Sequence, residues 1–273
     1  MHLAESTWTD AAGVETDLAL LPVGSTEQHG PHAPLGTDAL TAGAVADAGA
    51  DAYADTTGGE VVVAPPIPVG VAEEHRHFAG TLWVSPDTFR AYVRETVASL
   101  ASHGWDRVVV VNGHGGNVAA LEELCARLTR DGTAYAVPFT WFDAVSLDGS
   151  GEGAGDESED AGDDETGEGP PVDLSEVAMG HGGPVETAMV RAVAPDLLRE
   201  DRLDEAADGA ADGWGEWVSG TNLAYDSAEF SENGAVGDPR EGTAELGAWL
   251  KERAAEKLAT LLDAVAARER AGD

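Results

Sequence analysis

Residues 24–38 carry side chains that could bind a divalent metal ion. Glu27, His29 and Asp38, with His32 between them, lie within twelve positions directly after an apolar run. Glu27 and His29 project to the same side of an extended chain because they are two residues apart. The prolines and glycines that follow let the chain turn, so that Asp38 can return to them. Carboxylates and imidazoles without thiolates suit Zn, Mn or Fe and do not suit a structural cysteine-type zinc site.

A second group, residues 112–117, reads Asn-Gly-His-Gly-Gly-Asn between a run of valines and a helical pattern. His114 falls where the strand ends, and ligands of parallel sheets gather at that edge, so we expect it to bind metal. Asn117 can cap the helix that follows. The alternative is an anion-binding or nucleotide-binding loop, because a glycine-rich turn before a helix binds phosphate. The segment lacks the ending of a P-loop and the spacing of a dinucleotide fingerprint, which favours the metal.

A third group, residues 180–187, stands at the start of another predicted helix, where Pro184 suits the first turn. Glu186 could serve only to complement the helix dipole, and His181 could be an ordinary loop residue. Beside a metal centre, however, they supply what hydrolysis needs, namely an imidazole that moves protons and one more carboxylate. We therefore take His181 and Glu186 as candidate catalytic residues.

Short apolar runs alternate with helical patterns along the chain and predict the elements that position these groups. Continuous apolar runs are typical of strands buried on both faces, such as residues 18–21, 61–64, 108–111 and 134–137. Helices are predicted at about 39–53, from Ser85 to near 104, and at about 117–130, 185–194 and 243–267. The alternation predicts an α/β fold with three layers, α/β/α, and a mostly parallel sheet.

The charge balance is extreme. Acidic residues number 51 and basic residues 15, which gives a net charge of −36, and only Lys251 and Lys257 are lysines. Self-repulsion of this size strains a compact fold at low ionic strength, and salt screens it. The sequence therefore predicts a halophilic protein, and it argues against a nucleic-acid partner, which requires a basic surface.

We expect one domain over residues 1–273, with an acidic insertion at about 148–171. The insertion contains no basic and no large apolar residue, so it cannot bury enough surface to order itself. Cys125 is the single cysteine and lies in an amphipathic helical pattern, which predicts a core residue and a reducing, cytoplasmic compartment. There is neither a signal-peptide pattern nor a long apolar stretch, so no membrane partner is expected.

The three groups together resemble the creatininase family, also called creatinine amidohydrolases. Its members carry a Gly-Ser-x-Glu-x-His-Gly-x-His-x-Pro segment ending in Asp, an Asn-Gly-His segment and a His-x-Gly-x-x-Glu-Thr segment. These stand here as residues 24–38, 112–117 and 181–187, with weaker similarity at 74–81 and 234–239. The resemblance covers essentially the whole chain except the acidic insertion, and it implies the creatininase-like fold.

The resemblance also implies a metal-dependent hydrolase of carbon–nitrogen bonds with two divalent ions per subunit, Zn, Mn or Fe. The implied ligands are Glu27 and His114 on one ion, His29 and Glu186 on the other, and Asp38 bridging the two. His181 would carry a proton to the leaving nitrogen. Residues implied to orient the ligands or contact the substrate are His32, Asn112, Asn117, His75 and Arg76.

Two positions depart from creatininase proper. Gly116 stands where that enzyme has a metal-binding glutamate, and we infer that Glu186 supplies the carboxylate instead. Val177 stands where it has a substrate-stacking tryptophan; Trp141 is a candidate replacement, with a core position as the alternative. These two departures favour similarity to family members that act on substrates other than creatinine.

Our leading hypothesis is hydrolysis of a non-peptide amide or formamide bond, as in the formamidopyrimidine ribotide deformylase of archaeal flavin and deazaflavin synthesis. Arg76 and Arg240 are the candidate phosphate-binding residues. The alternatives are a creatinine amidohydrolase, a peptidase that matures a peptide-derived cofactor, and a non-catalytic, metal-stabilised binding protein. The family further implies a small-molecule substrate and a homo-oligomer such as a hexamer.

Overall fold

The computed structural model describes residues 1–145, 170–172, 177 and 179–269. Four parallel strands form the main sheet in the order β2-β1-β3-β4. These strands are β1 (Leu18–Val23), β2 (Val62–Val63), β3 (Arg107–Asn112) and β4 (Tyr135–Thr140). A separate hairpin pairs β5 (Trp217–Val218) with β6 (Thr221–Asn222).

The helices surround this sheet. In chain order they are α1 (Trp8–Ala11), α2 (Thr37–Thr57), α3 (Pro86–Ser102), α4 (Val118–Arg130), α5 (Trp141–Val145), α6 (Pro184–Val193), α7 (Leu203–Gly209) and α8 (Ala244–Ala267). The Ser85 hydroxyl caps α3 by accepting a hydrogen bond from the Thr88 backbone N–H at 3.3 Å, and Pro86 occupies the first turn. Each apolar run and helical pattern identified in the sequence forms the predicted type of element.

Alternate side chains of the strands pack into two separate hydrophobic cores, one on each face of the sheet. Leu20 and Val109 pack with α2, α6 and α8 on one face, whereas Leu21 and Val110 pack with α3 and α4 on the other. All strand residues of β1 are buried, as expected for a strand covered on both sides. The predicted α/β fold with helices on both sides of a parallel sheet is confirmed.

Cys125 lies in the second core and is 1% exposed, and burial raises the pKa of its thiol to about 12. This confirms its predicted core position. Within the described part of the chain, no helix is long and apolar enough to cross a membrane. The acidic insertion at 148–171 lies, apart from residues 170 and 171, outside the described residues, so the single-domain prediction stays a prediction.

The register of the sheet places the second group of residues beside the first. Val23 pairs with Asn112, and Asn112 pairs with Thr140, so the loops after β1, β3 and β4 leave the same edge. Gly113 lies so close to the start of α2 that a Cβ there would meet the Asp38 carbonyl oxygen at 2.4 Å. This close approach of backbones brings Asp38, in the first turn of α2, to the end of β3.

Candidate metal centre

The predicted ligands converge at the carboxyl edge of the sheet. Three overlapping sets have ligand atoms within 4.8 Å of one another: Glu27, Asp38 and His114; His29, Asp38 and Glu186; and Glu27, His29 and His181. Asp38 belongs to the first two sets, which have the same membership as the two ligand groups implied by the resemblance. Glu186 comes from α6, on the far side of the acidic insertion in sequence.

Buried atoms in this cluster face one another without hydrogen bonds. His29 Nε2 lies 2.9 Å from Asp38 Oδ1, and His114 Nδ1 lies 3.2 Å from both Glu27 Oε1 and Asp38 Oδ2. Both Glu27 carboxylate oxygens, Asp38 Oδ2 and His29 Nε2 nevertheless lack a hydrogen-bond partner. Unpartnered buried polar atoms are costly and rare. Divalent cations would satisfy them, so the side chains present fit the implied metal ions.

Backbone carbonyl groups fix the tautomers of three imidazoles. The contacts run from His29 Nδ1 to Glu27 O at 3.2 Å, from His114 Nε2 to Val71 O at 2.7 Å, and from His181 Nε2 to Gln28 O at 2.6 Å. A carbonyl oxygen only accepts hydrogen bonds, so the contacting nitrogen carries the proton. In the neutral ring the other nitrogen then presents its lone pair to the carboxylates, as a metal ligand requires.

Negative charge dominates the electrostatics of the cluster. Burial disfavours protonated His29, but the charges of Asp38 and Glu186 outweigh burial and raise its pKa well above the usual value. Burial likewise opposes protonation of His114, and Glu27 with Asp38 raises its pKa well above the usual value. The pKa of Asp38 is lowered: burial opposes ionisation, but His29 and His114 outweigh it. A metal ion must therefore displace protons from both imidazoles.

His181 differs from these two histidines because its pKa is lowered. Burial is the main cause, followed by the positive charge of His29. Its Nδ1 lies 3.8 Å from Glu27 Oε1 and 4.0 Å from Glu186 Oε2, and the ring is 5% exposed. A neutral imidazole whose free lone pair adjoins the cluster is suited to accept a proton.

Asn112 holds the backbone of His114 from both sides. Its Oδ1 accepts the His114 N–H at 3.1 Å and its Nδ2 donates to the His114 carbonyl at 2.8 Å. Asn117 does not cap α4 with its side chain as predicted. Its amide instead accepts the Val71 N–H at 3.0 Å and donates to Gly24 O at 3.2 Å, because the loops after β1 and β2 meet there.

His32 connects the first group of residues to α6. Its Nε2 lies 2.9 Å from the Thr187 hydroxyl, next to Glu186 in sequence. Burial and the positive charges of His29 and Arg191 lower the pKa of His32 to about 4, so the ring is neutral near pH 7. This contact supports the predicted role of His32 in orienting the loop rather than binding metal.

His75 and Arg76 are adjacent in sequence but lie in different surroundings. His75 is 2% exposed, and its Nε2 lies 3.5 Å from Glu27 Oε1. The structure does not bring Arg76 to the cluster. Its guanidinium is half-exposed and pairs with Asp226 at 2.7 Å, because successive side chains of the short helical turn at 73–75 project about 120° apart.

The cluster opens into a cavity of about 420 Å³. The apolar part of its wall consists of Phe142, Met179, Val185 and Trp214. Sequence reasoning missed Trp214, whose ring centroid lies 6.0 Å from that of His181. A tryptophan between two glycines in a polar segment was the available signal, but nothing in the sequence connects residue 214 to the catalytic groups. Trp141 is a core residue, 1% exposed, which settles its two alternatives in favour of the core.

The structure explains how Gly116 and Glu186 are related. A Cβ at residue 116 would lie 2.2 Å from Val71 O and 2.5 Å from His114 Nε2, so this backbone leaves no room for a glutamate side chain. Glu186 Oε2 instead lies 3.6 Å from His29 Nε2 and accepts the Gly182 N–H at 2.6 Å. A carboxylate from α6 thus stands beside His29 and Asp38.

Comparison with known protein families agrees with this set of candidate ligands. A family model described as creatininase, creatinine amidohydrolase, matches residues 4–262. The chain belongs to the creatininase family. A mycofactocin precursor peptide peptidase of Mycobacterium ulcerans is 32% identical over 232 residues, which is 82% of this chain and 76% of that protein. The fold of the family is shared by a solved structure described as a manganese form of creatininase, with a TM-score of 0.68, 24% identity, and coverage of 98% of this chain and 99% of the other.

A second relative in the family is the mycofactocin precursor peptide peptidase of Mycolicibacterium smegmatis. It is 44% identical over 115 residues, a match that spans 42% of this chain and about half, 46%, of that peptidase. The family assignment confirms the resemblance identified from the three groups of residues.

Proposed function

We propose that this protein is a divalent-metal-dependent hydrolase that cleaves an amide bond in a short peptide. The observation that carries the proposal is the joining of two three-residue ligand sets at Asp38, with the cluster opening into one cavity beside a neutral imidazole. Glu27, Asp38 and His114 would hold one ion, and His29, Asp38 and Glu186 the other. Divalent ions supply Lewis acidity, which polarises a carbonyl group and makes water nucleophilic near neutral pH.

His181 is placed to transfer the proton during hydrolysis. His181 Nδ1 has its lone pair free because Nε2–H donates to the Gln28 carbonyl. The ring can accept a proton from the attacking water and donate it to the departing nitrogen. Its neutral state before reaction follows from the lowered pKa.

The lining of the cavity favours a peptide over a phosphorylated substrate. Among the described residues that line it there is no arginine or lysine, whereas Glu74 and Asp143 contribute carboxyl groups. Arg76 pairs with Asp226, and Arg240 with Asp238 at 2.6 Å. Apart from the proposed metal ions, a ribotide phosphate would therefore meet acidic groups with no arginine or lysine to bind it. Trp214 and Phe142 instead offer an apolar surface for a peptide side chain.

A panel of substrates tests this function in molar salt. Zinc-loaded, manganese-loaded and iron-loaded protein is incubated with short peptides, creatinine and the formamidopyrimidine ribotide, and the amine released, the creatine formed or the formate released is measured. We expect peptide hydrolysis that chelation abolishes and metal restores. Formate release from the ribotide without peptide hydrolysis would contradict the proposal and support the deformylase hypothesis.

The variant His181→Ala separates an enzyme from a binding protein. Because His181 is assigned to proton transfer, its loss should lower kcat by about 10²-fold to 10⁴-fold. The two bound ions should remain, since each ion keeps three other ligands. Unchanged turnover in this variant would contradict the assigned role.

A further inference from the structure

His75 has one ring nitrogen with partners and one that faces the cavity. Its Nδ1 lies 2.9 Å from Gln28 Nε2 and 2.9 Å from Ser227 Oγ. The Nε2 atom makes no hydrogen bond with a residue in the described part of the chain, and His75 lines the cavity. Neither metal binding nor the proton transfer assigned to His181 gives this buried imidazole a role.

The surroundings of Gln28 determine where the proton of His75 resides. Gln28 Oε1 accepts the Gly30 N–H at 2.9 Å, and Nε2 donates to the Gly234 carbonyl at 3.0 Å, which fixes the orientation of the amide. The amide nitrogen is only a donor, so His75 Nδ1 must accept. The neutral ring therefore carries its proton on Nε2.

Stacking on His181 fixes the plane of the His75 ring, with centroids 4.3 Å apart and an interplanar angle of 17°. Because Nδ1 accepts a hydrogen bond from Gln28, the ring carries a single proton and is neutral. Tautomer and orientation are set before a substrate binds, which is the condition for a preorganised hydrogen-bond donor.

His75 Nε2 and His181 Nδ1 both approach the same oxygen, since His181 Nδ1 lies 3.8 Å from Glu27 Oε1. The distance of 3.5 Å from His75 Nε2 to Glu27 Oε1 exceeds the usual range of N–H···O hydrogen bonds, and that oxygen has no hydrogen-bond partner. A substrate carbonyl attacked beside Glu27, with its leaving nitrogen toward His181, would bring its oxygen within reach of this N–H.

We propose that His75 is a further catalytic residue, a neutral donor whose Nε2–H binds the substrate carbonyl oxygen and stabilises the negative charge that develops on it. The inference rests on the proposed amide hydrolysis. It extends that function because it assigns oxyanion stabilisation partly to the chain and not to the metal ions alone.

Two substitutions separate the two nitrogens of the ring. His75→Asn keeps a polar group near Nδ1 for Gln28 but removes the donor that faces the cavity, whereas His75→Gln places an amide N–H near the position of Nε2. We expect kcat to fall about 10²-fold to 10³-fold in His75→Asn. KM and bound metal should stay close to the wild-type values, and His75→Gln should recover part of kcat. Wild-type kcat in His75→Asn, or loss of metal in proportion to activity, would overturn the inference.

The position of the proton is measured without turnover. Proton–nitrogen correlation spectra of histidine-labelled protein, with the signal assigned by its loss in His75→Gln, should show His75 protonated on Nε2. A proton on Nδ1 would overturn the inference by itself. The kinetic comparison uses whichever amide of the panel the wild type hydrolyses, so a protein that cleaves creatinine or the formamide would fail the peptide proposal but still test His75.

Discussion

Asp38 is the residue on which both ligand sets depend. It lies in the first turn of α2, is 1% exposed, and approaches His29 with one carboxylate oxygen and His114 with the other. Its position near the positive end of the helix dipole adds to the attraction of the two imidazoles. Held in this way, Asp38 would offer one carboxylate oxygen to each of the two proposed ligand sets.

The raised and lowered pKa values predict how pH acts on the metal-free protein. Raised values at His29 and His114 contribute stability that is complete below the unfolded value of about 6.5 and is lost as pH rises through the folded values. The lowered value at Asp38 contributes above about 3.9 and is lost as pH falls through its folded value. The metal-free protein should therefore lose stability as pH rises above about 6.5, whereas below that value the lowered pKa values of His32, His75 and His181 oppose the contributions of His29 and His114.

Bound metal should change how the stability of the protein depends on pH in the alkaline range. Bound ions replace the protons on both imidazoles, so metal-loaded protein should keep its melting temperature above about pH 6.5, where the metal-free protein loses stability. Thermal melts of both forms across pH provide the measurement. A metal-free melting temperature that is flat over the alkaline range would contradict the assigned electrostatics.

At the scale of elements, the loop between β3 and α4 requires a glycine at residue 116, because its backbone packs directly against other backbone. A Cβ at Gly116 would lie 2.2 Å from Val71 O, whereas a Cβ at Gly115 would meet nothing within 4 Å. We predict that Gly116→Ala lowers the free energy of unfolding by about 1–3 kcal/mol, since the backbone must shift. Gly115→Ala is the matched control and should be nearly neutral. Equal stability of the two variants in chemical denaturation would show that the loop adapts freely.

The elements and the meeting of Glu27 with His114 were predictable from sequence for one reason, whereas the division of the ligands between two ions came only from the family resemblance. Short valine-rich runs have few alternatives to buried parallel strands, and the order of elements brings their carboxyl ends to one edge. Reactive side chains that directly follow such runs, as Glu27 and His114 do, must therefore lie close together at that edge. The roles of Asn117 and Arg76 were not predictable, because their partners Val71 and Asp226 are distant in sequence. Trp214 was missed for the same reason.

At the scale of the whole molecule, net charge should govern stability. With a net charge of −36, repulsion weakens as the screening length falls from about 10 Å at 0.1 M salt to about 3 Å at 1 M. We predict a melting temperature that rises steadily as KCl increases to molar concentration. Sucrose is the control, because it favours compact states without screening charge. Full stability at low salt would refute the halophilic prediction.

The proposed centre holds two metal ions and is completed by Glu186. Counting ions by anomalous diffraction from metal-loaded crystals of the wild type and of Glu186→Gln tests it most directly. Glu200→Gln is the control, since Glu200 pairs with Arg191 at 2.7 Å and lies outside the ligand sets. We predict two ions in the wild type and the control, and loss of the ion beside His29 in Glu186→Gln. Two fully occupied ions in Glu186→Gln, or a single ion in the wild type, would contradict the account.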